Sequence, residues 1–451
     1  MTFDRTRGSL YTILVVIFLS NSCLAEYVRY DRAKTYSFDC PEEFRKIIEN
    51  HPKFRATRNK VTLELWSYQR GTSDNAIAFV TPEAEAQFLS LLQHYQLKYR
   101  VLNQNVQKAY DKEKRRMKKR KFRLSSDAKG ILSMDEYHTY EEIEQYFKDI
   151  DEVYSEKCKL FNISATYENR TVYGIKVSQN LTQDTVKPSV VVVSGLHARE
   201  WLGHATALYI LNELVHNRQN KTIHWMLQHF DCYIIPVGNP DGYVHTINKN
   251  RLWRKTRSIN LGGVGVDMNR NFGYHWGEEP ESNLPYDEVY AGPEPFSEVE
   301  TKGIVNFINN TIKNHAIYLD IHAFMQAFLM PWGYTKSKPE EYRYLKEVCA
   351  NIVKRIKMSN GNTYSCGTPP DLLYITAGTS MDYYYSQGVP ISMSVEVRPF
   401  SAEANMTESV FKASMAWPPD QIVPTGKEVL VSLHEMAKYY INHEEELGRN
   451  K

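Results

Sequence analysis

The feature that most constrains this chain is a run of four valines, Val190, Val191, Val192 and Val193. A continuous β-branched run has no polar alternation, so it reads as a strand buried on both faces. Tyr233-Ile234-Ile235, Ile317-Tyr318-Leu319-Asp320-Ile321 and Ser392-Met393-Ser394-Val395 repeat the pattern further on. Helical patterns lie between them, as in Leu345, Val348, Ile352 and Ile356, and residues 429–446 read as a closing helix. Strands alternating with helices from about residue 130 onward predict an α/β domain on a mixed, largely parallel sheet flanked by helices.

Ser194-Gly195-Leu196-His197-Ala198-Arg199-Glu200-Trp201 follows the valine run directly. His197 and Glu200 are three apart, which on a turn entering a helix sets both side chains on one side. Imidazole nitrogen and carboxylate oxygen both ligate Zn²⁺. Alone, such a pair is more often a surface ion pair than a metal site. His322, however, ends the run 317–321, and strand carboxyl ends in an open α/β sheet converge on one crevice. His197, Glu200 and His322 are therefore expected to meet there. Two His and one Glu with a fourth position for water is the arrangement of a catalytic zinc.

The first 25 residues have the grammar of a secretory signal. Arg5 and Arg7 precede an apolar stretch at 10–19, and small residues allow cleavage after Ala25. Residues 26–100 read as a small α+β open sandwich. It has strand patterns at 27–30, 61–66 and 76–80, a helix at 41–50, and a helix start at Thr81-Pro82-Glu83. Residues 101–123 form a polar helical segment leading to a dense basic run, 115–121. Between two folded units of an exported chain, that run is expected to be an exposed linker cut by a trypsin-like protease. Residues 124–451 make the larger domain.

Composition excludes other classes. With 55 Lys and Arg against 53 Asp and Glu, no basic field suits nucleic acid, and no segment after the signal is apolar enough to span a membrane. Six sequons (Asn162, Asn169, Asn180, Asn220, Asn309 and Asn405) fit a glycosylated, secreted, extracellular protein, for instance in a gut lumen. Five cysteines remain after Cys23 leaves with the signal, so the core carries the stability; Cys349 and Cys366 are near enough in sequence to bridge.

Further motifs follow. Asn239-Pro240-Asp241-Gly242 alone is a turn. Trp253-Arg254-Lys255 comes next, then Asp267-Met268-Asn269-Arg270-Asn271-Phe272, where an amide beside a guanidinium makes a fork for a carboxylate. Together with His197-x-x-Glu200, Asp320-Ile321-His322, Leu373-Tyr374 and Val395-Glu396-Val397-Arg398, in this order, the chain resembles the zinc metallocarboxypeptidases of the pancreatic A/B type. The likeness includes the propeptide and runs from about Tyr27 to the C-terminal helix.

The resemblance implies an eight-stranded catalytic sheet behind an inhibitory prodomain, one Zn²⁺ per chain, and hydrolysis of the C-terminal peptide bond of peptides and proteins. It makes His197, Glu200 and His322 the metal ligands, Glu396 the general base and Arg254 the stabiliser of the oxyanion. Asn269, Arg270 and Tyr374 become the holders of the terminal carboxylate, and Arg199 an outer subsite. Met381 falls at the base of the side-chain pocket, with Leu329, Gly333, Pro369, Thr376 and Ser394 around it, and Asp382 takes a structural role. An uncharged Met381 implies a preference for apolar or aromatic ends. A B-like enzyme releasing Lys or Arg, and an inactive secreted binding homologue, are the alternatives. The chain departs from the family in lacking a disulfide between the loops near Gly263 and Pro285, in Phe324 where Tyr is frequent, and in Pro399 after Arg398.

Overall fold

The computed structural model describes residues 27–51, 61–68, 76–121, 129–182, 186–278, 282–398 and 411–448. The expected signal 1–25, together with Arg123, Pro399 and Asn405, lies outside them.

The N-terminal unit is built from β1 (Lys34–Phe38), α1 (Glu42–Asn50), β2 (Leu63–Tyr68), β3 (Ala76–Val80), α2 (Pro82–His94) and β4 (Tyr99–Asn103). Its four strands lie in the order β2-β3-β1-β4, all neighbours antiparallel. One face of the sheet and the inner faces of both helices bury Phe38, Phe44, Leu63, Phe88 and Leu92. The Phe38 ring meets Phe44 and Phe88 edge-on, at 5.9 and 5.6 Å between centroids, a favoured aromatic geometry.

Three local expectations change. Residues 27–30 form no strand. Their backbone instead follows the larger domain, with Val28 N donating to Lys249 O at 2.7 Å and Tyr30 Oη to Asn250 Oδ1 at 3.0 Å. The period-two pattern there reflects packing on a neighbouring domain, not strand pairing. Second, β4 runs past residue 100 to Asn103, so the small sheet closes later than its polar composition suggests. Third, the basic run is not an open linker up to Lys121, because it forms the second half of α3 (Gln107–Lys121). Arg, Lys and Met are good helix formers, and cations near a helix carboxyl end are favoured by its dipole. Lys112 and Arg116 also lie over the Phe411 ring, 5.9 and 5.5 Å from its centre.

The larger domain carries α4 (Tyr140–Val153), β5 (Cys158–Ala165), β6 (Thr171–Val177), β7 (Ser189–Ser194), α5 (Trp201–His216), α6 (Lys221–His229), β8 (Asp231–Ile235) and α7 (Pro240–Asn248). There follow a short hairpin of β9 (Ile259–Asn260) and β10 (Gly263–Val264), then α8 (Val299–Thr311), β11 (His315–Ala323), β12 (Ala327–Leu329) and α9 (Tyr342–Asn360). Then come β13 (Ser365–Gly367), α10 (Pro369–Leu372), α11 (Ser380–Ser386), β14 (Ile391–Val397), α12 (Ile422–Asn442) and a short α13 (Glu444–Gly448). The main sheet is eight-stranded, in the order β13-β12-β14-β11-β7-β8-β6-β5. Its four central strands, β14-β11-β7-β8, are parallel and are the four apolar runs of the sequence. Antiparallel pairings at β12–β14, β6–β8 and β5–β6 make the sheet mixed.

Every residue of β7 is buried. Helices α5 and α12 cover one face of the sheet, where Leu202, Leu211 and Leu433 pack on Val190 and Val192. Helix α8 covers the other, with Ile304 and Ile308 on Val191 and Val193. Tyr30, Trp66, Phe79 and Tyr110 of the N-terminal unit and α3 belong to the same buried cluster as Trp201 and Leu252. The two units thus share apolar core.

Cys349 and Cys366 form a disulfide tying α9 to β13, with their Cα atoms 6.1 Å apart. Cys40, Cys158 and Cys232 are buried and form no disulfide among the described residues. The loops at Gly263 and Pro285 touch without a disulfide. A Cβ on Gly263 would sit 2.2 Å from Pro285 O, and Lys255 Nζ donates to that oxygen at 2.7 Å. Among the described residues, no helix is long and apolar enough to cross a membrane.

Candidate metal centre and active site

The site forms where β7, β11 and β14 end. After Ser194 the chain turns sharply at Gly195, whose φ is +72°. A Cβ there would lie 2.8 Å from the His204 ring, so only glycine fits both the angle and the space. The turn delivers His197, and Glu200 sits at the N-cap of α5. His322 lies on β11, directly opposite Glu396 on β14. Parallel pairing of two buried strands thus fixes a histidine beside a carboxylate 74 residues away in sequence.

His197, Glu200 and His322 are buried, and their ligand atoms all lie within 4.8 Å of one another. His197 Nδ1 is 2.9 Å from Glu200 Oε1 and 3.1 Å from His322 Nδ1, and His322 Nδ1 is 3.2 Å from Glu200 Oε2. Tetrahedral bonds of about 2.0–2.1 Å would space ligand atoms at about 3.3 Å, so the donor set fits zinc. With both Nδ1 atoms unprotonated, two imidazole lone pairs and a carboxylate converge on one point, where a bound cation would offset their repulsion. Both histidines are backed by buried carboxylates. His197 Nε2 lies 2.9 Å from Asp267 Oδ1 and His322 Nε2 3.2 Å from Asp320 Oδ2. Burial opposes ionisation of Glu200, but His197 and His322 hold its carboxyl well below the usual range.

Around this centre stand the other predicted residues. Glu396 makes no side-chain hydrogen bond among the described residues. Burial pushes its carboxyl up to about 7; the negative Glu200 adds to this, while His322 and Arg254 oppose it. Arg254 donates from Nε and Nη2 to Asp267 Oδ2 at 2.9 and 2.8 Å, and its Nη1 lies 3.6 Å from Glu200 Oε1. Burial disfavours its charge, but Asp267 and Glu200 hold it above its ordinary value. Asn269 and Arg270 occupy a short 3₁₀ turn, Met268–Arg270, that opens when Asp267 accepts from Asn269 N. Arg270 Nη1 donates to Asn269 O at 2.8 Å. Tyr374 is partly exposed in the irregular segment between α10 and α11. That segment is anchored at Gly378, whose oxygen accepts from Phe272 N at 3.0 Å. Met381 is buried on α11 with Ala327 and Leu329, and Leu372 and Leu373 pack against them. The buried Asp382 accepts from Gly333 N and Tyr334 N, spending its carboxylate on backbone.

Arg199 does not face an open crevice. Its guanidinium is gripped by Glu64 of β2, at 2.9 and 2.6 Å, in a fork-to-fork ion pair. A second arginine, Arg251, is held by Glu113 of α3 at 2.6 and 3.2 Å, and lies over the Trp201 ring at 4.0 Å. Sequence reasoning missed Arg251, Glu64 and Glu113. Arg251 stands three residues before Arg254, which was a signal. The two glutamates gave none, because nothing local says what they touch. Sequence reasoning also quoted Asp267 and Asp320 only as members of motifs, not as partners of the histidines.

A buried His–Glu–His cluster at the carboxyl ends of parallel strands, beside an isolated carboxylate and a paired arginine, defines a metallohydrolase centre. Residues 143–432 match the zinc carboxypeptidase family, and residues 52–113 match the carboxypeptidase activation peptide. The chain is 32% identical over 411 residues to zinc carboxypeptidase A 1 of Anopheles gambiae, covering 91% of this chain and 90% of that protein. It is 33% identical over 307 residues to carboxypeptidase B of Astacus astacus, covering 67% and 96%. The solved structure of thrombin activatable fibrinolysis inhibitor superposes with a TM-score of 0.78 at 25% identity, covering 92% of this chain and all of that one. The chain belongs to the zinc carboxypeptidase family and carries an activation peptide ahead of its catalytic domain, the organisation of a zymogen. It is a metallocarboxypeptidase, and its His–Glu–His cluster is suited to the family's zinc.

Proposed function

We propose that this chain is the latent precursor of a secreted exopeptidase that removes the last residue of peptides and proteins and prefers apolar or aromatic ends. The observation that carries the reading is the three-ligand cluster lying beside Glu396, a carboxylate free of hydrogen-bond donors among the described residues. His197, Glu200 and His322 would hold the zinc. Bound there, zinc would supply Lewis acidity to the scissile carbonyl and to a nearby water. Glu396 takes the proton of the attacking water and returns it to the leaving amine nitrogen. A carboxyl pushed up to about 7 suits both steps near neutral pH. Arg254 directs its guanidinium at the oxygen that gains charge, and Asp267 keeps that guanidinium aimed.

Asn269, Arg270 and Tyr374 hold the terminal carboxylate. An amide beside a guanidinium offers a carboxylate a fork of donors, which the end of a peptide can fill. Arg199 serves residues upstream of the cut. The apolar surroundings of Met381 support the preference for apolar side chains. Before activation, Glu64 occupies Arg199 as a substrate carboxylate would. A trypsin-like protease cutting after the basic run would release the prosegment. The signal-like leader and the sequons support export.

Hydrolysis of peptides ending in Phe, Leu, Arg and Glu by trypsin-treated protein, with and without a zinc chelator, tests this. Fast release of Phe and Leu that the chelator stops is expected. Turnover indifferent to chelation sinks the metal mechanism. Fast Arg release with little Phe release overturns the preference, and no release of any residue points to an inactive homologue. Equal activity before and after trypsin removes latency.

A further inference from the structure

The outer nitrogen of His322 has two neighbours that ask opposite things of it. Nε2 lies 3.2 Å from Asp320 Oδ2 and 3.2 Å from Asn269 Nδ2. A carboxylate oxygen accepts, and an amide nitrogen donates. With the proton on Nε2, the ring donates to Asp320, and Nδ1 keeps its lone pair toward His197 and Glu200. With Nε2 bare, Asn269 donates to it and the proton moves to Nδ1, where it blocks a metal. Asn269 cannot escape by turning its amide over, because Ser380 N donates to its Oδ1 at 2.9 Å. Ser380 Oγ in turn donates to Asp320 Oδ2. Asp320, His322, Asn269 and Ser380 thus close a ring of four groups.

We propose that Asp320 is a positioning residue that fixes the tautomer of His322, holding the proton on Nε2 so that Nδ1 stays a metal ligand and Asn269 Nδ2 stays available to substrate. This rests on the roles given above to His322 and Asn269. The buried state of Asp320 supports it. The side chain is fully buried, and Oδ1 has no hydrogen-bond partner among the described residues. A half-satisfied buried carboxylate is costly to keep for packing alone. Asp267, which holds the other histidine, is neutralised by Arg254, whereas Asp320 has no Lys or Arg ion pair among the described residues. Among the described residues its side-chain partners are the His322 ring and the Ser380 hydroxyl, so a cation on the far side of that ring would offset its charge. Metal-ligating histidines commonly donate their second nitrogen to a carboxylate, and losing that partner typically weakens metal binding about 10- to 100-fold.

The test is a zinc-affinity cycle on the trypsin-activated protein, by competition with a chelating indicator, alongside the melting temperature of each metal-free variant. Asp320→Ala should weaken zinc binding about 10- to 100-fold, and Asp320→Leu, which restores volume but no acceptor, should do the same. Asn269→Ala alone should leave zinc affinity unchanged. Combined with Asp320→Ala it should recover most of the loss, since it removes the donor that favours the wrong tautomer. Saturating zinc should restore turnover by Asp320→Ala with a KM near that of the parent. If the parent binds no zinc, the reading of the site fails and not this one. Wild-type zinc affinity in both Asp320 variants overturns the proposal. So does a loss that Asn269→Ala does not relieve, which would mark Asp320 as merely structural. Selective loss of Arg release at unchanged zinc affinity overturns it too, making Asp320 a pocket charge instead.

Discussion

Glu113→Gln is expected to awaken the uncut zymogen. Glu113 and Arg251 are both buried, and the guanidinium is paired through two of its nitrogens, at 2.6 and 3.2 Å. Burial alone would disfavour the charge of Arg251, but Glu113 holds it above its ordinary value. Arg251 also donates to Arg199 O and Met415 O at 2.9 and 3.0 Å, so it stays in place when its partner is neutralised. Arginine cannot shed its proton in a protein, so the variant leaves an unanswered charge under α3. Breaking a buried pair from one side costs about 3–5 kcal/mol, which raises the undocked fraction about 150- to 4,000-fold. Arg251→Met should be milder, because the stranded Glu113 can take up a proton. The double variant should be milder still, since an apolar pair can replace a buried ionic one. The assay is hydrolysis of a small peptide by zymogen never exposed to trypsin, scaled to the same protein after cutting. An uncut Glu113→Gln protein as silent as its parent, or an Arg251→Met protein more active than it, would refute this reasoning.

Three further outcomes are expected. Because Glu396 in its proposed role must be ionised to accept a proton, kcat/KM should rise with pH through its pKa, set at or below about 7 because a bound zinc would favour the charged form. Glu396→Gln should cost about 10²- to 10⁴-fold in turnover, and a pH–rate profile that keeps its acid limb in this variant would contradict the assignment. Glu300, in the first turn of α8, is raised by burial from 4.5 to about 7. Its stability contribution is therefore full below about pH 4.5 and is lost as pH rises through about 7, a loss of about 3 kcal/mol. Glu300→Gln should melt higher than the parent at pH 8 and no higher at pH 4.5; an equal difference at both would rule this out. Gly195→Ala forces a side chain at φ +72° against the His204 ring. It should destabilise the fold by about 1–3 kcal/mol and weaken zinc binding through His197, both readable by calorimetry; a neutral result would show that the turn relaxes.

Much of this was legible in the chain because it depends on neighbours in sequence. The valine run and its three companions became the four central parallel strands, since an unbroken apolar stretch has nowhere to go but the middle of a covered sheet. His197-x-x-Glu200 works through one turn and a helix N-cap, both local. Where local signal misled, a distant surface had intervened. Residues 27–30 carry a strand pattern yet follow the backbone of Lys249, and the basic run is helical against Phe411.

Residue types and spacing therefore determined the α/β class, the metal donors and the family. Pairings between residues far apart in the chain were decided by the tertiary structure alone. Glu64 on Arg199, Glu113 on Arg251, Asp267 shared by His197 and Arg254, and the ring joining Asp320 to Asn269 all span separations that no periodicity encodes. A carboxylate's partner is set by which strands lie side by side and which loops meet at their ends, and that is fixed only once the core has packed.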